Sequence, residues 1–149
     1  MSQEIVKNVR STLQAFNGSA QSMSLVSGIF AKLPGFLHKD EDFWTIEFAQ
    51  SLADFSKDDR LDYNVRGNAI NALSILGQHA DDQVMEVVAK ALQDLSAIYP
   101  RHHSQINGAI ERIEKADQDG FRKIGEKIGF TPWEEDKSGG SFKAGSPQF

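Results

Sequence analysis

Slid against itself by forty residues, the sequence meets itself at apolar and capping positions through two consecutive helical segments, which constrains the fold more than any single motif. Asp42 falls on Asp82, Ala49 on Ala89, Leu52 on Leu92, Asp54 on Asp94 and Ser56 on Ser96. Without a gap, Ala69 then falls on Ala109, Ile70 on Ile110, Leu73 on Ile113 and Leu76 on Ala116. Further upstream, Val9, Leu13 and Phe16 match Phe48, Leu52 and Phe55 about one residue out of phase. A helix pair of this length cannot bury its apolar face alone, so such units stack on one another.

Helical spacing recurs along the chain and strand-like alternation is almost absent. Ser2 is placed to cap a first helix with Ile5, Val6, Val9, Leu13 and Phe16 on one face, ending at Asn17-Gly18. Ser19 caps a second, with Met23, Val26, Phe30 and Leu33, which Pro34-Gly35 is expected to stop. Asp40 caps a third with the stripe Trp44, Phe48, Leu52 and Phe55. A fourth runs from about Asn64 to Leu76, with Gly77 as its stop. Asp81 caps a fifth carrying Val84, Val88, Leu92, Leu95 and Ile98, closed by Pro100. A sixth places Ile106, Ala109, Ile110 and Ile113 inward, and a seventh Phe121, Ile124 and Ile128. The expected fold is all-α, with antiparallel helix pairs forming a short repeat stack or a six- or seven-helix bundle. Residues 1–130 form the helical domain. Residues 131–149, rich in Gly and Ser, are expected to be a flexible tail.

The stretch Val65-Arg66-Gly67-Asn68-Ala69-Ile70-Asn71-Ala72-Leu73-Ser74-Ile75-Leu76-Gly77 resembles the second helix of a HEAT repeat, which often opens with Val-Arg and closes on Gly. Asp81-Asp82 followed by Val84, Val87, Val88, Ala91 and Leu92 looks like the first helix of the next unit. The resemblance spans Asp40 to Asp117, and the third unit opens with Gln105-Ile106 in place of Val-Arg. It implies a stacked helical surface that serves protein binding.

The chain has 149 residues, 40% of them hydrophobic, with ten Phe, enough for one core without a metal or disulfide. No Cys occurs, which excludes a disulfide scaffold, a thiolate zinc site and a cysteine nucleophile. The apolar stretch Leu25 to Leu33 is interrupted by Ser27, Gly28 and Lys32 and is too short for a membrane span. No signal-peptide pattern is recognised, so a cytoplasmic location is expected. A net charge of −5 argues against a nucleic-acid partner, which demands Lys/Arg clusters.

The charge is uneven. Between Gly35 and Asp62 three basic residues (Lys39, Lys57, Arg60) face eight acidic ones (Asp40, Glu41, Asp42, Glu47, Asp54, Asp58, Asp59, Asp62). Such a face speeds association with basic partners. The expected partner-binding residues are therefore Asp40, Glu41, Asp54, Asp58, Asp59 and Asp62, together with Trp133. Trp133 follows Pro132 and precedes Glu134-Glu135-Asp136, so it reads either as a short recognition element or as a cap on the last helix pair.

No catalytic or cofactor site is expected. His38, His79, His102 and His103 lack the His-x-x-x-His spacing of a helical metal site. Asp40-x-Asp42-x-Trp44 fails as a calcium loop because Trp44 cannot coordinate, and Asp117-x-Asp119-Gly120 lacks the downstream Glu. Arg122, Lys123 and Lys127 could meet a phosphate but read as a solvated face, and no phosphate loop or nucleophile elbow occurs. The function expected is a non-catalytic interaction protein, monomeric or a small homo-oligomer: an adaptor, an assembly factor or an inhibitor of immunity type. An enzyme or ligand carrier with an inter-helix pocket, or a self-assembling subunit, is the alternative.

Overall fold

Short polar side chains set the starts of the helices. Ser19, Thr45, Asp81 and Asp117 accept the backbone N–H groups of Ser22, Phe48, Val84 and Gly120, each three residues on. Asp62 does the same for Val65 at 2.8 Å. The computed structural model describes residues 2–79, 81–130 and 132. Among them lie seven α-helices and no strand: α1 (Ser2–Gln14), α2 (Ala20–Lys39), α3 (Ile46–Ser56), α4 (Tyr63–His79), α5 (Asp82–Ile98), α6 (His103–Ala116) and α7 (Gln118–Ile128). Gly129, in the left-handed region at φ 79°, closes α7.

The helices form two layers. α1, α3, α5 and α7 pack side by side in one, and α2, α4 and α6 in the other. One cluster of buried apolar side chains runs between the layers, from Val9 and Leu13 of α1 to Phe121 and Ile124 of α7. Burying each large apolar side chain contributes about 1.5–3 kcal/mol, which sustains the stack without metal or disulfide. Positions one period apart occupy equivalent buried places: Leu52 and Leu92 in the first layer, Ala69 and Ala109, Ile70 and Ile110, Leu73 and Ile113 in the second. The correspondence fails at the end of α6, where Leu76 is buried and Ala116 is exposed.

Several helix limits differ from those the sequence suggests. Pro34 does not stop α2, which runs on to Lys39 with the proline inside it. Leu33 and Leu37, on either side of it, are both fully buried, and their packing outweighs the hydrogen bond a proline cannot make. Asp40 caps a 3-10 turn, Glu41–Phe43, and α3 starts only after Thr45. Phe43 therefore takes the core place expected of Trp44, with its ring 5.0 Å from that of Phe48. Trp44 sits half-buried in the connection and donates its indole N–H to the carbonyl of Leu37 at 2.8 Å. Gly77 does not end α4 but lets α6 approach: a Cβ there would lie 2.7 Å from Ile113 Cδ1. Ile98, expected inward, is 54% exposed in the last turn of α5.

Candidate partner-binding surfaces

The connections between helices collect at two opposite edges of the stack. Along one edge run the α1–α2, α3–α4 and α5–α6 connections, and along the other the α2–α3, α4–α5 and α6–α7 connections. The turns of the first edge are locked together by side chains. Gly18, at φ 83°, sits so close to Arg60 that an added Cβ would lie 2.8 Å from its Cδ. Arg60 also lies over the Phe16 ring. Tyr99 donates its hydroxyl to the Lys57 carbonyl at 2.9 Å. Tyr63 stacks on the buried His102, ring centroids 4.3 Å apart.

Arg66 is the centre of this edge. It is buried, and its guanidinium donates Nε to the Ser56 carbonyl at 3.1 Å and Nη2 to the Asp58 carbonyl. The same group lies over the Tyr99 ring. The Ser56 carbonyl at the end of α3 and the Asp58 carbonyl, which also accepts the Leu61 N–H at 3.3 Å, are thereby bound by one planar donor, a geometry Lys cannot reproduce.

The expected acidic residues divide between the two edges. Asp40 and Glu41 lie beyond the start of α3, where Asp40 accepts the Asp42 N–H as a cap. Asp54, Asp58, Asp59 and Asp62 lie at its other end, on the edge that Arg66 holds. Asp58 is tied to Arg60 by two contacts of 2.9 and 2.7 Å, and that hydrogen-bonded guanidinium holds its carboxyl below the usual carboxylate range. Lys57 pairs across to Asp94 of α5 at 2.8 Å. Asp54, Asp59 and Asp62 carry no ion pair among the described residues, and all three are exposed. Of the expected carboxylates, Asp54, Asp59 and Asp62 are thus the ones exposed without an ion pair at this edge, with Asp62 also capping α4 through the Val65 N–H. Trp133 lies outside the described residues.

The opposite edge holds a contact the sequence reading missed. His38 Nδ1 and His79 Nε2 are hydrogen-bonded at 2.9 Å, at the ends of α2 and α4. Trp44 stacks on the His79 ring, 5.1 Å away and 4° from parallel. Burial, and then the neighbouring His38, lowers the His79 pKa. The two histidines stand 41 residues apart, close to the repeat period, and that separation is the signal that could have paired them. Among the described residues no group of three or more side chains is placed to hold a metal ion.

Each layer carries an open groove on its outer surface. The α3–α5 groove, about 480 Å³, is charged, with Asp54, Lys57, Glu86, Lys90 and Asp94 along it. The α4–α6 groove, about 550 Å³, is lined by Asn64, Asn68, Asn71, Ser104 and Gln105, with Arg112 as its one charged residue. These amides, too, were not picked out in the sequence. No described helix is long and apolar enough to cross a membrane.

Fold and surfaces together define an all-α protein of stacked helices in two layers, with a polar groove between α4 and α6. Compared with family models, with curated proteins and with solved structures, the chain matches none.

Proposed function

We propose that this chain is a non-catalytic protein–protein interaction module, a short HEAT-like stack that works in the cytoplasm as an adaptor, assembly factor or inhibitor. The observation that carries the reading is the edge formed by Asp54, Asp59 and Asp62, exposed carboxylates beside a turn that Arg66 and Tyr99 hold in place. A fixed cluster of like charge meets a basic partner at little ordering cost, and its long-range field raises the association rate. The filled core supports a binder over a pocket enzyme, because the larger grooves lie on the surface between neighbouring helices.

The test is affinity purification of the tagged chain from its native cell at low and then moderate salt, beside Asp54→Lys with Asp59→Lys. These two carboxylates make no ion pair among the described residues, so reversing them leaves the turn intact, whereas Asp58 is bonded into it. A basic protein recovered by wild type and lost with the reversed pair supports the reading. Recovery unaffected by the reversal places the contact elsewhere.

A second reading has its own observation. α2 leaves Leu25 58% exposed beside Ile29 and Phe36, around an apolar groove of about 260 Å³ at the first end of the stack. An apolar patch left open among the described residues suits self-association. Mass in solution across a concentration series separates a monomer from a small homo-oligomer.

A further inference from the structure

We infer that the groove between α4 and α6 binds an extended peptide segment of a partner protein, holding its backbone with side-chain amides and one of its carboxylates with Arg112. The inference deepens the protein-binding reading and rests on it.

The chemistry of the groove differs from that of its surroundings. A quarter of the chain is charged, and the α3–α5 groove is lined by five charged residues, yet the α4–α6 groove carries one. Depletion of charged residues, with Arg retained, is a feature of the centre of protein interfaces. Asn64 and Asn68 are exposed and their side-chain amides make no hydrogen bond among the described residues, so both present a donor and an acceptor. A Cβ on Gly67 would lie 2.7 Å from Gln105 Nε2, so that side chain packs over the glycine, while at Gly108 the nearest group is Arg112 Nη1 at 3.6 Å.

The spacing fits an extended chain. Asn64, Asn68 and Asn71 stand at i, i+4 and i+7 on one face of α4, so the first two are about 6 Å apart along the axis. An extended backbone repeats its same-side N–H and C=O groups every two residues, about 6.6 Å. Asn64 and Asn68 are thus spaced to meet every second peptide unit, while Asn71, about 4.5 Å further on and bonded to Arg112, ends a stretch of about 10 Å that covers roughly three residues. A helical ligand satisfies its own backbone and has no use for such amides. A nucleic acid needs several cations, and the groove offers one.

Arg112 sets the polarity. Its Nε donates to Ser74 Oγ at 3.2 Å and its Nη2 to Asn71 Oδ1 at 3.4 Å, which fixes the guanidinium at one end of the groove. Nη1 has no partner among the described residues and lies 3.6 Å from where a Cβ of residue 108 would stand, so it faces into the groove. An Asp or Glu side chain, or a terminal carboxylate, completes it.

The probe is a phage-displayed library of random 12-residue peptides panned on the full chain, with enriched peptides remeasured by fluorescence anisotropy. Enriched peptides should share an acidic residue and bind Asn64→Ala with Asn68→Ala at least about tenfold more weakly, while that variant melts like wild type. Arg112→Gln should weaken the acidic peptide and leave its Asn or Gln counterpart unchanged. No enrichment, equal affinity for the Asn64→Ala/Asn68→Ala variant, or a helical bound peptide by NMR shifts overturns the inference. A native partner lost with Asp54→Lys and Asp59→Lys, beside a groove that selects no peptide, overturns the groove alone. A groove that binds peptide, beside a charge reversal without effect, overturns the acidic edge alone.

Discussion

The guanidinium of Arg66 lies 3.7 Å from the ring centroid of Tyr99, so a side chain of α4 and one that follows α5 jointly clamp the turn that follows α3. The contact joins two repeat units through the turn of the first. Arg66→Ala leaves the Ser56 carbonyl without its side-chain donor, removes one of the two donors to the Asp58 carbonyl and removes a desolvated cation–π contact. Chemical denaturation should register a loss of about 2–4 kcal/mol, and Arg66→Lys should recover only part of it. A loss under about half a kcal/mol for Arg66→Ala would mean that the turn is held by other groups.

Leu73→Asp and Leu92→Asp should each unfold the protein or destabilise it by several kcal/mol, because both side chains are fully buried one layer apart and neither site offers a partner for a carboxylate. Lys90→Asp, on the exposed face of α5, should stay within about half a kcal/mol of wild type. Thermal melts of the three variants decide it, and a wild-type melt for Leu73→Asp would contradict the inward face of α4.

Two helical glycines should respond in opposite directions. Nothing lies within 4 Å of a Cβ added at Gly28, so Gly28→Ala should gain about 0.5–1 kcal/mol from helix propensity alone. At Gly77 the same methyl meets Ile113 Cδ1 at 2.7 Å and Cγ1 at 2.9 Å, both in the core. Gly77→Val should cost about 1–3 kcal/mol through overpacking. Equal shifts for the two sites, read by urea titration, would mean that α4 and α6 are not so closely packed.

What the sequence made legible and what it did not follows from where each signal resides. Val84, Val88, Leu92 and Leu95 form a stripe whose period alone places them inside, and Asp81 caps the helix as its position suggests. The limits at Pro34, Trp44 and Gly77 were misread because contacts distant in sequence decide them: the burial of Leu37, the core place of Phe43, and Ile113 against Gly77. The acidic residues were identified by count, but counting along the chain cannot tell a cap such as Asp40 or a paired group such as Asp58 from a free carboxylate such as Asp59. The cross-repeat pairs His38–His79, Asn71–Arg112 and Glu86–Lys127 are each 41 residues apart. That separation, one residue more than the forty-residue period, is the signal by which the sequence could have paired them.

The histidine pair gives the stack a dependence on pH. The His79 pKa is lowered in the folded protein, so the unfolded chain binds more protons at this site as acid is added. Its contribution to stability is therefore complete above the ordinary histidine range near pH 6.5 and is lost as the pH falls through the lowered folded value. Melting temperature should fall between pH 7.5 and pH 5, and His79→Gln should flatten that part of the curve. An unchanged slope in the variant would assign the acid sensitivity to other groups.

The central claim, that the edge at Asp54, Asp59 and Asp62 recruits a basic protein, is tested most directly by the association rate of the recovered partner as a function of ionic strength. For wild type the rate constant should fall steeply with added salt while the dissociation rate changes little. With Asp54→Lys and Asp59→Lys the rate at low salt should drop about tenfold or more and its salt dependence should flatten or change sign. A rate constant that is the same for both proteins at every salt concentration would contradict the account.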